Sequence, residues 1–437
     1  MNKTAIGALV LATVTSLWTW MPEAEREAAP KVEREQVLTA SGSVVAPEKV
    51  AGIRVVSMDT ATNEAVPFEV KRVEGRWLIP SHFDYPADGG TQVGETAGAV
   101  LNIPMGPLVT SKKAEHSEYG VEDPVAQGSG DGAGKRVTLT DEGGAVLVDV
   151  IIGKQKSQTK VYFVRRANEP QVYTASVKPK NIKTNFEDWV EVSLLKVATN
   201  EIREATVKNY SVNEESGSVT KRSMVVFSKK KDEGAWTLLP TFPGKGVNIE
   251  TVDTFIKEAA QLTLVGVRPF DSDWLQERGF YLGSTPTRGR QLYGNEGEVQ
   301  IVSKYGLVYR LYFGEIALGD DGDKKVKRPD VNSITSNSAN HNRYMAIFVQ
   351  YDPEFDEDIP APEFSEEDVA APKEKDSEDP KPPKVPKNQA EIASALKAGQ
   401  ARAEKAQARF QEFFYVVSNA SFEKLRPARE AFYKSAE

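Results

Sequence analysis

Apolar residues along the chain change period several times, and each change predicts an element. From Val50 to Val73, β-branched and aromatic residues alternate with polar ones through Ile53, Val55, Val56, Phe68, Val70 and Val73, as in half-buried strands. Glu74-Gly75 is a tight-turn signal, so Val66–Val73 and Arg76–Ile79 read as a hairpin stopped by Pro80. Between Asp88 and Leu101 the period lengthens: Val93, Ala97 and Val100 predict a helix, with Asp88 as its cap. Strand patterning returns in Arg136–Thr140 and Ala145–Ile152 around Asp141-Glu142-Gly143-Gly144. A further pair, Val161–Arg165 and Gln171–Ala175, follows across Asn168-Glu169-Pro170. Phe186, Trp189 and Val190 read as a short closing helix.

The pattern then recurs. Val225, Val226 and Phe227 lead through Gly234 to Trp236, Leu238, Leu239 and Pro240, as the first hairpin leads through Gly75 to Trp77, Leu78, Ile79 and Pro80. A second helix, Asn248 to Gln261, carries Val252, Ile256 and Ala259. Gly279 follows Trp236 at the distance at which Gly120 follows Trp77. Leu292-Tyr293 and Val299–Val302 are expected to form a hairpin around Glu296-Gly297, followed by strands Val308–Phe313 and Met345–Gln350. The fold class expected is α+β: two similar hairpin–helix–hairpin units with largely antiparallel sheets, over residues 41–198 and 199–355.

The flanks differ from this body. Lys3 precedes an uncharged run from Thr4 to Met21, with Trp18 and Trp20 at its far end and Pro22, Glu23, Glu25, Arg26 and Glu27 beyond. Length, flanking charge and interfacial tryptophans predict a transmembrane signal anchor over residues 1–22, with the bulk of the chain periplasmic. No small-residue cleavage pattern follows the run. Residues 23–40 read as a juxtamembrane stalk, and 320–342 as a polar, mobile insertion. Residues 356–388, acidic and then rich in proline and lysine, read as a disordered linker. The remaining 389–437 read as a helical tail bearing an aromatic patch, Phe410, Phe413, Phe414 and Tyr415. Four rings within six residues cannot share one helix face. Either the tail docks on its own domains or the patch binds a partner.

Composition narrows the chemistry. The net charge of −8 disfavours nucleic acid, and the absence of cysteine removes disulfides, thiolate metal sites and cysteine nucleophiles. Gly128 to Lys135 imitates a phosphate loop, but Ser129 stands where its first glycine belongs and Arg136 where Ser or Thr is required. Asp320, Asp321 and Asp323 hint at calcium, yet Lys324, Lys325 and Lys327 follow. The histidines are His82, His116 and His341, with no ligand spacing among them. Ser81-His82-Phe83-Asp84 crowds triad residue types into one loop, whereas triads assemble from distant ones. Asp84 and Asp88 could serve as paired acids, but their place near a helix start is explained by capping. Trp77 and Trp236 read as core braces ahead of ligand-stacking rings. No catalytic residue, cofactor or metal is expected.

The hairpin with Trp77, Tyr85-Pro86-Ala87-Asp88, Ser111-Lys112-Lys113-Ala114-Glu115, Tyr119-Gly120-Val121-Glu122-Asp123-Pro124 and Val161-Tyr162-Phe163-Val164 resemble the domain of unknown function 4340 family. The tail from Arg409 to Ser418, ending Leu425-Arg426, is similar to membrane-anchored members from planctomycete-like bacteria. The resemblance implies no reaction. It implies an extracytoplasmic companion of an exporter-type transporter. The second repeat departs from the Tyr-Gly-x-x-x-Pro element, having Arg278-Gly279-Phe280 there. The expected function is therefore a non-enzymatic extracytoplasmic scaffold or accessory subunit of an inner-membrane complex, such as an ABC-type exporter. The expected partners are that complex and the bilayer. The alternative is a binding module for cell-envelope glycan or another small ligand, and a third reading is a hydrolase using Asp84 and Asp88.

Overall fold

The computed structural model describes residues 37–435 except 60–61, 89, 127–129, 214–215, 217, 231–233, 286–288, 318–341 and 365–385. The expected anchor with Lys3, Trp18 and Trp20, the polar insertion and most of the proposed linker lie outside the described residues. Among the described residues, no helix is long and apolar enough to cross a membrane.

The first sheet is built from β1 (Gly52–Asp59), β2 (Glu64–Val73), β3 (Arg76–Ile79), β4 (Tyr85–Pro86), β5 (Met105–Thr110), β6 (Lys135–Thr140), β7 (Val146–Gln155), β8 (Tyr162–Arg166) and β9 (Val172–Ala175). Helix α1 (Gln92–Val100) lies between β4 and β5 in the chain, and α2 (His116–Tyr119) between β5 and β6. The strand order is β4-β3-β2-β1-β6-β7-β8-β9-β5. The expected hairpins are present. Val73 pairs with Arg76 across Glu74-Gly75, whose φ values of 50° and 78° are what a two-residue hairpin turn needs.

The second sheet uses β10 (Ile202–Val212), β11 (Val219–Ser228), β12 (Thr237–Leu239), β14 (Gly266–Pro269), β17 (Glu298–Ser303), β18 (Tyr305–Ala317), β19 (Asn342–Asp356) and β20 (Phe413–Val417). Its order is β12-β11-β10-β17-β18-β19-β20-β14. Strand for strand this repeats β3-β2-β1-β6-β7-β8-β9-β5. Helix α3 (Ile249–Ala260) takes the chain position of α1 and buries Val252, Phe255, Ile256 and Ala259. Two pieces have no counterpart in the first sheet. One is the hairpin β15 (Phe280–Thr285) with β16 (Gly289–Gly294); the other is α4 (Gln389–Phe410), inserted between β19 and β20. The short strands β13 (Lys245–Val247) and β21 (Tyr433–Ser435) pair with each other, and α5 (Asn419–Leu425) follows β20.

Two expectations are corrected here. Leu292-Tyr293 does not pair with Val299–Val302: β16 turns back on β15, while β17 lies between β10 and β18. Glu296-Gly297 is thus a connection between sheets, with Gly297 at φ 88° against the Lys208 carbonyl. The aromatic patch is also not on one helix. Helix α4 ends at Phe410, and Phe413, Phe414 and Tyr415 begin β20, an internal strand bonded to β19 and β14. A run of five buried residues suits a strand covered on both faces.

The described residues group into two compact units, one holding the chain up to Pro67 with Glu95–Ile182, the other Phe68–Gly94 with Lys183 onward. This differs from a single cut near 198, because segments of the first repeat are packed into the second unit. Tyr85 meets Phe413 edge-on at 4.9 Å, and Arg268 lies over Phe83 at 5.6 Å. Within this unit the two repeats reuse one arrangement. Phe68 packs on Trp189 at 5.2 Å, and the Asp88 N–H donates to the Trp189 carbonyl at 2.6 Å. Phe227 packs on Phe432 at 5.4 Å, and the Asn248 N–H donates to the Phe432 carbonyl at 2.8 Å. Trp77 and Trp236 are half-buried, each under a cation, Arg72 and Lys229, and Trp236 meets Phe227 edge-on at 5.5 Å.

The flanks of the expected linker are tied together. Asn388 accepts from the Glu363 N–H at 3.0 Å and donates to the Ala361 carbonyl at 2.8 Å. Helix α4 is then fixed by Arg402 to Asp356 and Asp358, and by Gly399, whose lack of a Cβ admits the Tyr351 ring.

Candidate functional site: two glycine turns

The two units carry a matching pair of glycine-centred turns, at Gly120 and Gly279. In the first unit α2 ends at Tyr119, and Gly120 at φ 67° donates its N–H back to the His116 and Ser117 carbonyls. The turn closes on Gly153 of β7: a Cβ there would lie 2.7 Å from the Gly120 carbonyl. Only glycine at both places permits this backbone approach. Under the turn Val121, Ile151 and Val172 form a small core, with Tyr119 against Phe163 at 4.7 Å. Arg165 is buried beneath it and donates to the Val121 carbonyl at 2.7 Å and the Ala167 carbonyl at 2.6 Å; burial lowers its pKa. Asp123 accepts from Arg136 at 2.8 Å, and Asp149 takes the same guanidinium in a two-pronged pair. This explains the Tyr-Gly-x-x-x-Pro element: ring, turn glycine, and an acid holding the next strand.

The described part of the glycine-rich stretch belongs to this turn. Glu122 donates to the Gly132 carbonyl at 3.0 Å and accepts from the Gly134 N–H at 2.9 Å. A Cβ on Gly132 would crowd Ser117, and one on Gly134 would meet the Gly120 carbonyl at 2.7 Å. Gly132 and Gly134 are therefore closely packed. His116 is buried and its Nε2 bonds the Pro170 carbonyl at 2.9 Å.

In the second unit the same construction holds different chemistry. Gly279 (φ 79°) follows Arg278 and packs on Gly314-Glu315 of β18, as Gly120 packs on Gly153-Lys154 of β7. The positions match by register, since Ile152 pairs with Val164 and Phe313 with Met345. Phe163 and Tyr344 thus occupy the same place, and Arg278 stands where Tyr119 does. The core beneath is larger: Leu275, Phe280, Leu292, Tyr312, Ala346 and Phe414, with Tyr344 and Phe348 against it. Phe414 is fully buried and stacks between Phe270 (4.6 Å) and Phe280 (4.9 Å).

The Arg278 guanidinium lies 5.2 Å from Phe414, 5.8 Å from Tyr344 and 6.0 Å from Trp274. Its Nη1 donates to the Pro269 carbonyl at 2.6 Å. Loss of hydration lowers its pKa, and neighbouring Arg268 lowers it further. Arg268, opposite Phe414 in β14, donates to its neighbour's carbonyl at 2.7 Å and covers Phe83. Among the described residues, the contacts of both guanidinium groups are to carbonyl groups and aromatic rings. Phe270 (36 % exposed) and Trp274 (43 % exposed) flank them. Desolvated cations on aromatic faces with exposed rings beside them form a surface suited to an anion carrying an apolar group.

Other residues singled out by the sequence fall elsewhere. Phe410, Phe413, Phe414 and Tyr415 are buried within the second unit, where the tail packs on its own chain, the first of the two alternatives above. The Tyr415 hydroxyl donates to the Arg409 carbonyl at 2.8 Å, and Arg409 in turn donates to the Leu194 and Ser193 carbonyls. Burial raises the pKa of Tyr85, which lies beside Tyr415. His82 lies flat on Phe186 at 4.1 Å, with Ser81 Oγ 2.9 Å from its Nδ1. Asp88 accepts from the N–H groups of Gly90 (3.0 Å) and Thr91 (3.2 Å), capping the turn that leads into α1. No group of three His, Cys, Asp or Glu able to hold a metal occurs among the described residues. Arg268, Phe270 and Trp274 were not singled out by the sequence. The one available signal was Arg278 standing in place of the tyrosine.

Two antiparallel sheets with a few helices, wired alike, define an α+β protein. Residues 77–296, half of the chain, match the family described as Domain of unknown function (DUF4340), and the chain belongs to that family. No curated protein and no solved structure matches it.

Proposed function

We propose that this protein is a non-enzymatic scaffold or accessory subunit of an inner-membrane complex, such as an ABC-type exporter, held at the membrane by its N-terminal segment. Two copies of one α+β build form its body outside the cytoplasm. The observation that carries the reading is how the second copy departs from the first at matching positions. Its turn presents Arg278 with exposed Trp274 and Phe270, where the first copy seals a small core with Tyr119. The strongest polar clusters meanwhile hold the fold together: Arg136 with Asp123 and Asp149, Arg426 with Glu296, and Lys208 with Glu298. The run from Thr4 to Met21 after Lys3 supports the membrane attachment.

Crosslinked membranes, solubilised and purified through the full-length chain, test this. The expected outcome is reproducible recovery of an integral membrane protein; recovery of none counts against the scaffold. Protease added to intact spheroplasts should cut the body, and protection would overturn the sidedness. A second reading, a module for cell-envelope glycan, is favoured by the exposed Trp274 ring alone. A thermal shift with purified wall fragments would support it.

A further inference from the structure

We infer that the Arg268–Arg278 face of the second unit docks an acidic segment of a partner protein, one that presents a carboxylate beside an aliphatic or aromatic side chain. The inference rests on the scaffold reading and specifies the surface and the chemistry of its partner.

Four observations carry it. The chain has 63 acidic against 55 basic residues, yet among the described residues these two arginines are held by carbonyl groups and rings and not by a carboxylate. The fold does not require a cation here, because Tyr119 fills the matching position of the first unit. The nearby acids favour the Arg278 charge only from a distance: Asp271 accepts from the Asp273 N–H at 2.9 Å, and Asp271 and Glu277 are exposed. Finally, Phe270 and Trp274 expose apolar surface, with Trp274 6.0 Å from the Arg278 guanidinium and Phe414 5.2 Å from it on the buried side. A planar guanidinium whose hydration is already reduced favours a carboxylate, bound through two N–H groups at once. The rings beside it suit the apolar neighbour. A neutral saccharide would offer the two cations nothing.

The test uses the full-length protein in detergent and a peptide array in which Asp or Glu neighbours Leu, Ile, Phe or Trp. Each peptide is paired with its Asn or Gln counterpart. Acidic members should be retained, with affinity at least tenfold above their amide partners and falling as salt rises. Arg278→Gln should abolish that difference, and Arg278→Lys should restore little of it, since an ammonium cannot form the two-pronged contact. Trp274→Ala, at an exposed ring, should weaken retention without changing the thermal midpoint, and Lys112→Gln, at an exposed lysine of the first unit, should change nothing. Equal binding of acidic and amide peptides, or acidic binding unchanged in Arg278→Gln, overturns the proposal. So does a preference for anionic lipid vesicles or carboxylated wall fragments over every peptide. Purification from crosslinked membranes separates the two levels. A membrane partner recovered equally with wild type and Arg278→Gln leaves the scaffold intact and removes this face; no partner with wild type removes the scaffold itself.

Discussion

The two glycine turns share a backbone and differ in what they cover. In the first unit a ring seals a core of small aliphatic side chains, and the arginine beneath it is tied to carbonyl groups. In the second unit a cation replaces that ring, and a stack of three phenylalanines fills the space below. The turn geometry is dictated by backbone contact at glycine pairs, which leaves the preceding side chain free to vary. One turn thus places a core-sealing ring at that position, and the other a cation.

The comparison breaks most sharply at the centre of each small core. Phe414→Ala removes a fully buried ring from a stack and should cost about 4 kcal/mol in urea unfolding. Val172→Ala at the matching place should cost about 2 kcal/mol. Equal losses would refute the difference in filling. Next come the turns. Gly279→Ala should cost about 3 kcal/mol, because its Cβ would meet the Glu315 backbone nitrogen at 2.6 Å in a left-handed conformation. Gly120→Ala should cost less, about 2 kcal/mol, since its nearest obstacle is the movable Lys154 side chain at 2.9 Å.

Alkaline titration sharpens the contrast further. Burial pushes Tyr309 of the second unit up to about 12. In the unfolded chain a tyrosine loses its proton near pH 10, so the folded state holds more protons between roughly pH 10 and 12. Stability therefore falls as pH rises through that window. Tyr309→Phe should remove up to about 2 kcal/mol of the loss, read as a smaller shift in thermal midpoint between pH 9 and 12. The smallest effects separate the two arginines. Arg165→Leu should cost about 2 kcal/mol, because the Val121 and Ala167 carbonyls lose their donor. Arg278→Leu should cost only about 1 kcal/mol, because a single carbonyl, that of Pro269, loses its donor. A large loss there would assign Arg278 to the fold and take it away from binding.

Much of this architecture was legible in the sequence. The Glu74-Gly75 turn, the helix stripe at Val252, Ile256 and Ala259, and the spacing of Trp77 to Gly120 against Trp236 to Gly279 report local rules of turns and periodicity. Long-range order was not legible. Nothing local to Phe413–Val417 tells that it completes a sheet begun at Ile202, because a fully covered strand and a buried helix end present the same apolar run. Leu292-Tyr293 was assigned to the nearest available strand, whereas an inserted hairpin had taken it. The surface at Arg278 was visible only as a departure from the first repeat. Its neighbours Arg268, Phe270 and Trp274 come together through the pairing of β14 with β20.

The placement of β20 has a consequence for biogenesis. Ribosomes deliver the chain from its N-terminus, and until residue 417 has emerged β14 has no sheet to join and β19 stands as a bare margin. Completion of the second sheet therefore waits on β20. A message cut short after β19 would yield an open edge of the kind that chaperones hold and proteases remove.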